Sequence, residues 1–166
     1  IAVTSDGLTF AGAHLNKLRS RYYRLRKKLQ IKDTRSSKRL LRHRRRKESC
    51  FSADINHCIA KKIVEIAERT DRGIAVEKLT GIRDRIRATR DVRRSLHSWA
   101  FADLQAKIGY KSALAGTPVI AVDPRNTSRT CPVCNHCEKA NRLNRDIFRC
   151  RRCGFTASAD LTGAEN

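Results

Sequence analysis

Apolar residues recur along this chain in two rhythms, and the switches between them mark its elements. Ile1-Ala2-Val3 and Leu8-Thr9-Phe10 flank Ser5-Asp6-Gly7, and an Asp-Gly step between short apolar runs predicts a β-hairpin. From about Leu15 to Gln30 the rhythm changes to steps of three and four. Leu15, Leu18, Tyr22, Leu25 and Leu29 then share one face of an amphipathic helix. A second helical pattern over Glu48 to Thr70 lines up Phe51, Ile55, Cys58, Ile59, Ile63 and Ile66, a face expected to pack as core. The interval from Lys32 to Lys47 holds too few apolar residues to bury a face and is expected as a loop leading into that helix.

Gly73 ends the second helix, and Ile74-Ala75-Val76-Glu77 reads as a buried strand with a carboxylate at its C-terminal end. Thr80 to Arg94 is basic and weakly periodic, a connection without a clear element. A helix is expected from about Ser95 to Leu114, with Leu96, Trp99, Ala100, Leu104, Ile108 and Ala115 toward the core, stopped by Gly116-Thr117-Pro118. Val119-Ile120-Ala121-Val122 is then another short buried strand. Strands alternating with helices in this order predict a mixed α/β layer architecture.

Charge narrows what such a fold serves. The 166 residues carry 37 Lys plus Arg against 16 Asp plus Glu, a formal net charge of +21, and such a field attracts polyanions before any specific contact forms. Nucleic acid is the expected partner, not a small-molecule substrate. The run that ends in Arg42, Arg44, Arg45 and Arg46 is unmixed in sign, which favours a phosphate-facing role over a merely solvated surface. No apolar run approaches the roughly twenty residues of a membrane span, and no signal peptide opens the chain. Seven cysteines, an odd number, fit a reducing compartment. The chain begins at Ile1 and lacks Met, so it is expected to be part of a longer product.

Four of the cysteines form two knuckles, Cys131-Pro132-Val133-Cys134 and Cys150-Arg151-Arg152-Cys153, fifteen residues apart. That spacing lets two tight loops close four thiolates around one tetrahedral zinc. Cys134-Asn135-His136-Cys137 offers a competing pair, and local backbone chemistry discriminates. A knuckle needs a residue tolerant of left-handed backbone after its second cysteine; Gly154 and Asn135 occupy those places. The quartet Cys131, Cys134, Cys150 and Cys153 is therefore preferred, with His136 and Cys137 as bystanders. A closed four-thiolate site leaves no open position, so the zinc is expected to be structural. Cys50, His57 and Cys58 lack a paired knuckle and read as small core residues or a surface imidazole. Arg142, Arg145, Arg149, Arg151 and Arg152 decorate the ribbon and extend the candidate nucleic-acid surface.

Asp160 follows the ribbon and opens a short terminal helix. One reading has it stabilise the helix N-terminus. The other pairs it with Glu77, because carboxylates at strand and helix ends can hold two Mg²⁺ ions about 4 Å apart for in-line attack on a phosphodiester.

The string Ser98-Trp99-Ala100-Phe101, Leu104, Tyr110-Lys111, Val122-Asp123-Pro124, Thr127-Ser128 and Thr130-Cys131, followed by both knuckles and Ala159-Asp160, resembles the C-terminal part of the OrfB/TnpB family of insertion-sequence proteins. That resemblance implies an RNase H-like (RuvC-type) fold over residues 1–124 and 157–166, with the zinc ribbon inserted at 125–156. It implies a Mg²⁺-dependent, RNA-guided DNA endonuclease, labelled a transposase and tied to transposition and DNA recombination. Glu77 takes the place of the second catalytic carboxylate and Asp160 that of the third, both as Mg²⁺ ligands. DNA and a guide RNA are the implied partners, and a prokaryotic cytoplasm, at the nucleoid, the implied location. The family's first catalytic Asp lies in a Gly-hydrophobic-Asp strand expected before Ile1; Asp6 sits in a turn and does not replace it. The chain also departs from the family in carrying Thr162 and Gly163 after Asp160, while Asn166 matches. The 166 residues alone are accordingly expected not to cleave. The alternative is a catalytically inactive zinc-ribbon nucleic-acid-binding fragment or regulatory remnant.

Overall fold

The computed structural model describes residues 2–78 and 101–166. They form two compact units, residues 13–122 and residues 1–12 with 123–166. The expected connection at Thr80 to Arg94, and Leu96, Trp99 and Ala100 of the third helix, lie outside the described residues.

The first unit opens with α1 (Ala13–Lys32) and α2 (Arg35–Arg69), joined by Asp33 and Thr34 alone. Asp33 takes a left-handed φ of 43°, which Asp tolerates better than most residues. Thr34 then caps α2: its Oγ1 accepts from Ser37 N at 3.1 Å, and its carbonyl accepts from Ser37 Oγ and Lys38 N. So short a link makes the helices antiparallel neighbours. Arg26 of α1 reaches Glu48 of α2 at 3.1 Å, and His14 meets Phe51 edge-on at 6.0 Å. Leu15 is buried on the predicted α1 face, with Leu18, Tyr22, Leu25 and Leu29 half-buried.

Two expectations about α2 need correction. The basic interval is not a loop, because the helix runs unbroken from Arg35. Its residues bury only Ser37 and part of Leu41, but Arg, Leu and Lys are strong helix formers and the Thr34 cap sets the start. Farther along, the buried seam is Asn56, Ile59, Ala60, Val64 and Ala67; Phe51, Ile55, Ile63 and Ile66 are half-buried and Cys58 is exposed. Ile59 is common to the expected and observed faces; the rotation brings the small side chains of Ala60 and Ala67 into the seam and leaves Ile55, Ile63 and Ile66 at its flanks.

That next helix is α3 (Phe101–Ala115), which buries Phe101, Leu104, Lys107, Ile108 and Ser112. Asn56 Nδ2 donates to Asp103 Oδ2 at 2.7 Å, and Lys107 pairs with the same carboxylate one helical turn on. Burial works against the Asp103 charge, yet hydrogen bonds from Lys107 and Asn56 and the charges of Lys107 and His57 outweigh it and hold its pKa below the usual carboxylate value. Around this helix pair, β3 (Ile74–Glu77) and β4 (Val119–Val122) lie parallel, from Ile74 opposite Val119 to Glu77 opposite Val122. Gly73 permits the approach, since a Cβ there would sit 3.2 Å from Pro118 Cγ. The strand expected to be buried at Val119–Val122 exposes Ile120 (61%) and Ala121, which point to opposite faces, and among the described residues it pairs with β3 alone.

The second unit contains the hairpin β1 (Ala2–Val3) and β2 (Thr9–Phe10), turned at Gly7 with φ 77°. It continues through a 3-10 turn at Lys139–Asn141, the antiparallel pair β5 (Ile147–Arg149) and β6 (Thr156–Ser158), and α4 (Ala159–Glu165). Its core is Cys131, Phe148, Cys150 and Ala159, all nearly inaccessible. The mixed α/β expectation is met. No helix among the described residues is long and apolar enough to cross a membrane.

Candidate metal centre and nucleic-acid interface

The two knuckles fold as near copies of each other. In the first, Asn135 takes φ 56° and donates its N–H to Cys131 O, while Cys131 N donates to His136 O. In the second, Gly154 takes φ 74° and donates to Cys150 O, while Cys150 N donates to Phe155 O. The left-handed residue in each lets the chain double back and aim both cysteines inward.

The result brings four sulfurs together. Cys131 Sγ lies 3.6 Å from Cys153 Sγ and Cys134 Sγ lies 3.5 Å from Cys150 Sγ, with all four within 4.8 Å of one another. Zn–S bonds of about 2.3 Å give tetrahedron edges of roughly 3.8 Å, so the quartet fits a zinc ion. Cys137 is exposed and outside the quartet, and His136 Nε2 contacts Glu138 Oε2 at 3.1 Å instead. Burial opposes the Cys150 thiolate, but N–H groups of Cys153 and Arg152 and the thiols of Cys134 and Cys153 overcome it and bring the pKa to about 6. Cys153, helped by the Phe155 N–H but opposed by burial and by thiolate sharing with Cys134, Cys150 and Cys131, is pushed up to about 12. Thiolate charge gathered at one point is what a divalent cation would neutralise.

Asn141 is the residue that sequence reasoning missed. Completely buried, it donates from Nδ2 to Arg129 O at 2.9 Å and His136 O at 3.0 Å, and its Oδ1 accepts from Arg151 N at 2.9 Å. It therefore ties the flanks of the first knuckle to the second. A small polar residue in a polar loop gives no sign of this beforehand.

The carboxylates singled out from sequence lie at the expected termini of their elements, Glu77 at the end of a strand and Asp160 at the start of a helix. Glu77 closes β3 in the first unit, half-buried, and its carbonyl accepts a hydrogen bond from Gln105 Nε2 of α3. Asp160 lies in the first turn of α4 in the second unit and is exposed. Ala159, immediately before it, is 1% exposed in the ribbon core and donates to Asp146 O at 2.9 Å.

The arginines divide. Arg42, Arg44, Arg45 and Arg46 project from α2, all exposed, and none forms an ion pair among the described residues. Between His14 and Lys47 stand sixteen Lys and Arg and a single carboxylate, Asp33, and Asp33 is engaged by Lys38 at 3.0 Å. On the ribbon, Arg145, Arg149, Arg151 and Arg152 are exposed, whereas Arg142 directs its guanidinium to the carbonyls of Asn144 and Arg145 and braces the loop.

Against this geometry, a family model described as Cas12f1-like, TNB domain, matches residues 101–166. The CRISPR-associated endodeoxyribonuclease Cas12f1 of Sulfoacidibacillus thermotolerans is 40% identical over 117 residues, 70% of this chain and 26% of that protein. A TnpB-like protein of Methanocaldococcus jannaschii is 32% identical over 114 residues, 68% of this chain and 40% of that one. In fold, a Cas12f1–sgRNA–target DNA complex matches 96% of this chain and 42% of its own protein chain, at a TM-score of 0.74 and 22% identity. The chain thus spans from about a quarter to two fifths of the length of these relatives. By sequence the chain is similar to TnpB-like proteins and to the Cas12f1 endodeoxyribonuclease, and it shares the fold of part of the Cas12f1 chain.

Proposed function

We propose that this chain is the C-terminal nuclease portion of a transposon-encoded, RNA-guided DNA endonuclease of the OrfB/TnpB type. In this reading residues 1–124 and 157–166 are RuvC/RNase H-like, and residues 125–156 are an inserted zinc ribbon. The observation that carries it is the junction at Ala159: β6, by which the chain leaves the ribbon, runs directly into a helix whose first turn bears Asp160. The relatives' names supply the reaction class, since they include a CRISPR-associated endodeoxyribonuclease.

Cys131, Cys134, Cys150 and Cys153 would hold structural zinc, which supplies cross-linking and no chemistry at the phosphodiester. Glu77 and Asp160 would hold Mg²⁺, whose contribution when bound is to polarise the phosphate and lower the pKa of an attacking water. The side chains themselves supply anionic oxygens on the ends of a strand and a helix, where backbone rigidity keeps them in place. The exposed cations of the α1–α2 hairpin and ribbon would hold DNA and guide RNA by their phosphates. That hairpin face offers few aromatic platforms for base stacking, so its contribution is sequence-independent charge. A nucleic-acid-binding protein of this kind works in the prokaryotic cytoplasm, at the nucleoid.

The test is cutting of guide-matched DNA by a guide-loaded protein containing this chain. Glu77→Ala and Asp160→Ala are each expected to lower the cleavage rate by at least a hundredfold while guide and DNA binding stay within about threefold. Cutting that survives either change sinks the catalytic assignment. Binding that needs no Mg²⁺, with no cutting in the unaltered protein, would instead establish the inactive binding module.

A further inference from the structure

Helix α4 carries Asp160 in its first turn, and Gly163 in its interior weakens it by roughly 1 kcal/mol relative to Ala. Ties outside the helix help to set the direction in which Asp160 points. One is at its start, where Ala159 is buried in the ribbon core and bonded to Asp146 O. The other is at its end. Asn166 Nδ2 lies 2.9 Å from each of three carbonyl oxygens, those of Thr127, Thr130 and Thr162. An amide nitrogen carries two protons, so one of them is shared between two acceptors.

Thr162 belongs to α4 itself, whereas Thr127 and Thr130 belong to the turn that enters the first knuckle. That turn is built on Asn126, at φ 63°, whose carbonyl accepts from Arg129 N and Thr130 N. Thr130 immediately precedes Cys131, whose sulfur is one of the four in the cluster. A single side chain thus fastens the far end of the carboxylate-bearing helix to backbone adjoining a metal ligand.

We propose that Asn166 is a positioning residue for Asp160, a clasp through which the folded, metal-loaded ribbon sets where that carboxylate stands. The mechanical part of this stands on the hydrogen bonds alone; its consequence for catalysis rests on Asp160 being a Mg²⁺ ligand, as proposed above. With the clasp closed, α4 is held at Ala159 and at Asn166, and Asp160 is fixed before a divalent ion arrives. With it open, the turn at Asn166 loosens and the carboxylate samples more orientations. Removing zinc frees Cys131, hence the turn at Thr127 to Thr130, and opens the clasp from the other side.

The test uses the zinc-loaded chain and two readouts: amide hydrogen exchange along α4, with Phe148 as the ribbon's internal control, and paramagnetic broadening at residue 160 by Mn²⁺. Asn166→Ala and Asn166→Asp, which keeps the shape but removes the donors, should each speed α4 exchange at least tenfold and weaken the Mn²⁺ effect several-fold. Phe148 should keep its protection in both, and Asn166→Gln, which retains the donors, should recover part of the loss. Chelating zinc from the unaltered chain should speed α4 exchange as well. Unchanged α4 exchange in both Asn166 variants overturns the clasp, and so does loss of Phe148 protection in both, which would make Asn166 a folding residue of the ribbon. If α4 exchange rises as expected but Mn²⁺ broadening is the same in the unaltered chain and in Asp160→Ala, the clasp stands and the metal-ligand role of Asp160 falls.

Discussion

Asn135 and Gly154 were readable in advance because a zinc knuckle makes a stereochemical demand that few residues meet, and both have the left-handed φ that this demand requires. Asn141 was not, since its role consists of three hydrogen bonds to backbone five to twelve residues away. Asn141→Ala would remove the acceptor of Arg151 N–H and one of the two donors to each of Arg129 O and His136 O, at about 0.5–1.5 kcal/mol per lost hydrogen bond. A drop in zinc affinity of about 10–100-fold is expected, comparable to loss of an outer-sphere partner elsewhere, and competition with a chromophoric chelator measures it. Thr162 presents the reverse case. Its Oγ1 is buried without a hydrogen-bond partner among the described residues, so Thr162→Val, which keeps the shape and removes the hydroxyl, should leave the melting temperature of the second unit unchanged or raise it. Asp103 gives a pH signature. Because its folded pKa is lowered, its contribution is complete above the unfolded value of about 3.9 and disappears as pH falls through the folded value. Acid titration of the first unit, followed by circular dichroism, should show a shallower loss below about pH 4 in Asp103→Asn.

Among the elements, those with an apolar period were legible, and the N-terminal half of α2 shows why the others were not. Arg35 to Lys47 has no face to bury, so a pattern-based reading has nothing to register there. What makes it helical is the Thr34 cap, the intrinsic preference of its residues and continuity with a half that is packed. Thr34→Ala should therefore cost about 1 kcal/mol and fray this half first, seen as faster amide exchange near Ser37 while Val64 stays protected. The seam between α2 and α3 was misplaced for a different reason. Periodicity ranks residues by apolarity and chose the isoleucines, while close helix contact favoured Ala60 and Ala67. The exposure of Ile120 and Ala121 was equally invisible, because a four-residue apolar strand looks the same whether or not its faces are covered.

For the whole molecule, net charge and cysteine spacing told more than any helix. A surplus of 21 positive charges implies nucleic-acid affinity that falls steeply with salt. Each phosphate contact contributes about −0.9 to the slope of log K against log[salt]. Changing Arg42, Arg44, Arg45 and Arg46 together to Gln should reduce that slope by about 3 to 4, measured by anisotropy on a duplex at several salt concentrations. An unchanged slope would remove α2 from the interface. The link at Asp33 and Thr34 also sets an order in time. With two residues between the helices, the hairpin closes through contacts local in sequence, which form fast. Cys153 leaves the ribosome about eighty residues after α2 is complete, roughly 4–16 s later at ordinary rates of synthesis. The cationic hairpin is consequently on offer to nearby RNA while the chain is still growing and before its metal site exists, so whatever RNA the ribosome's surroundings provide has the first opportunity to bind.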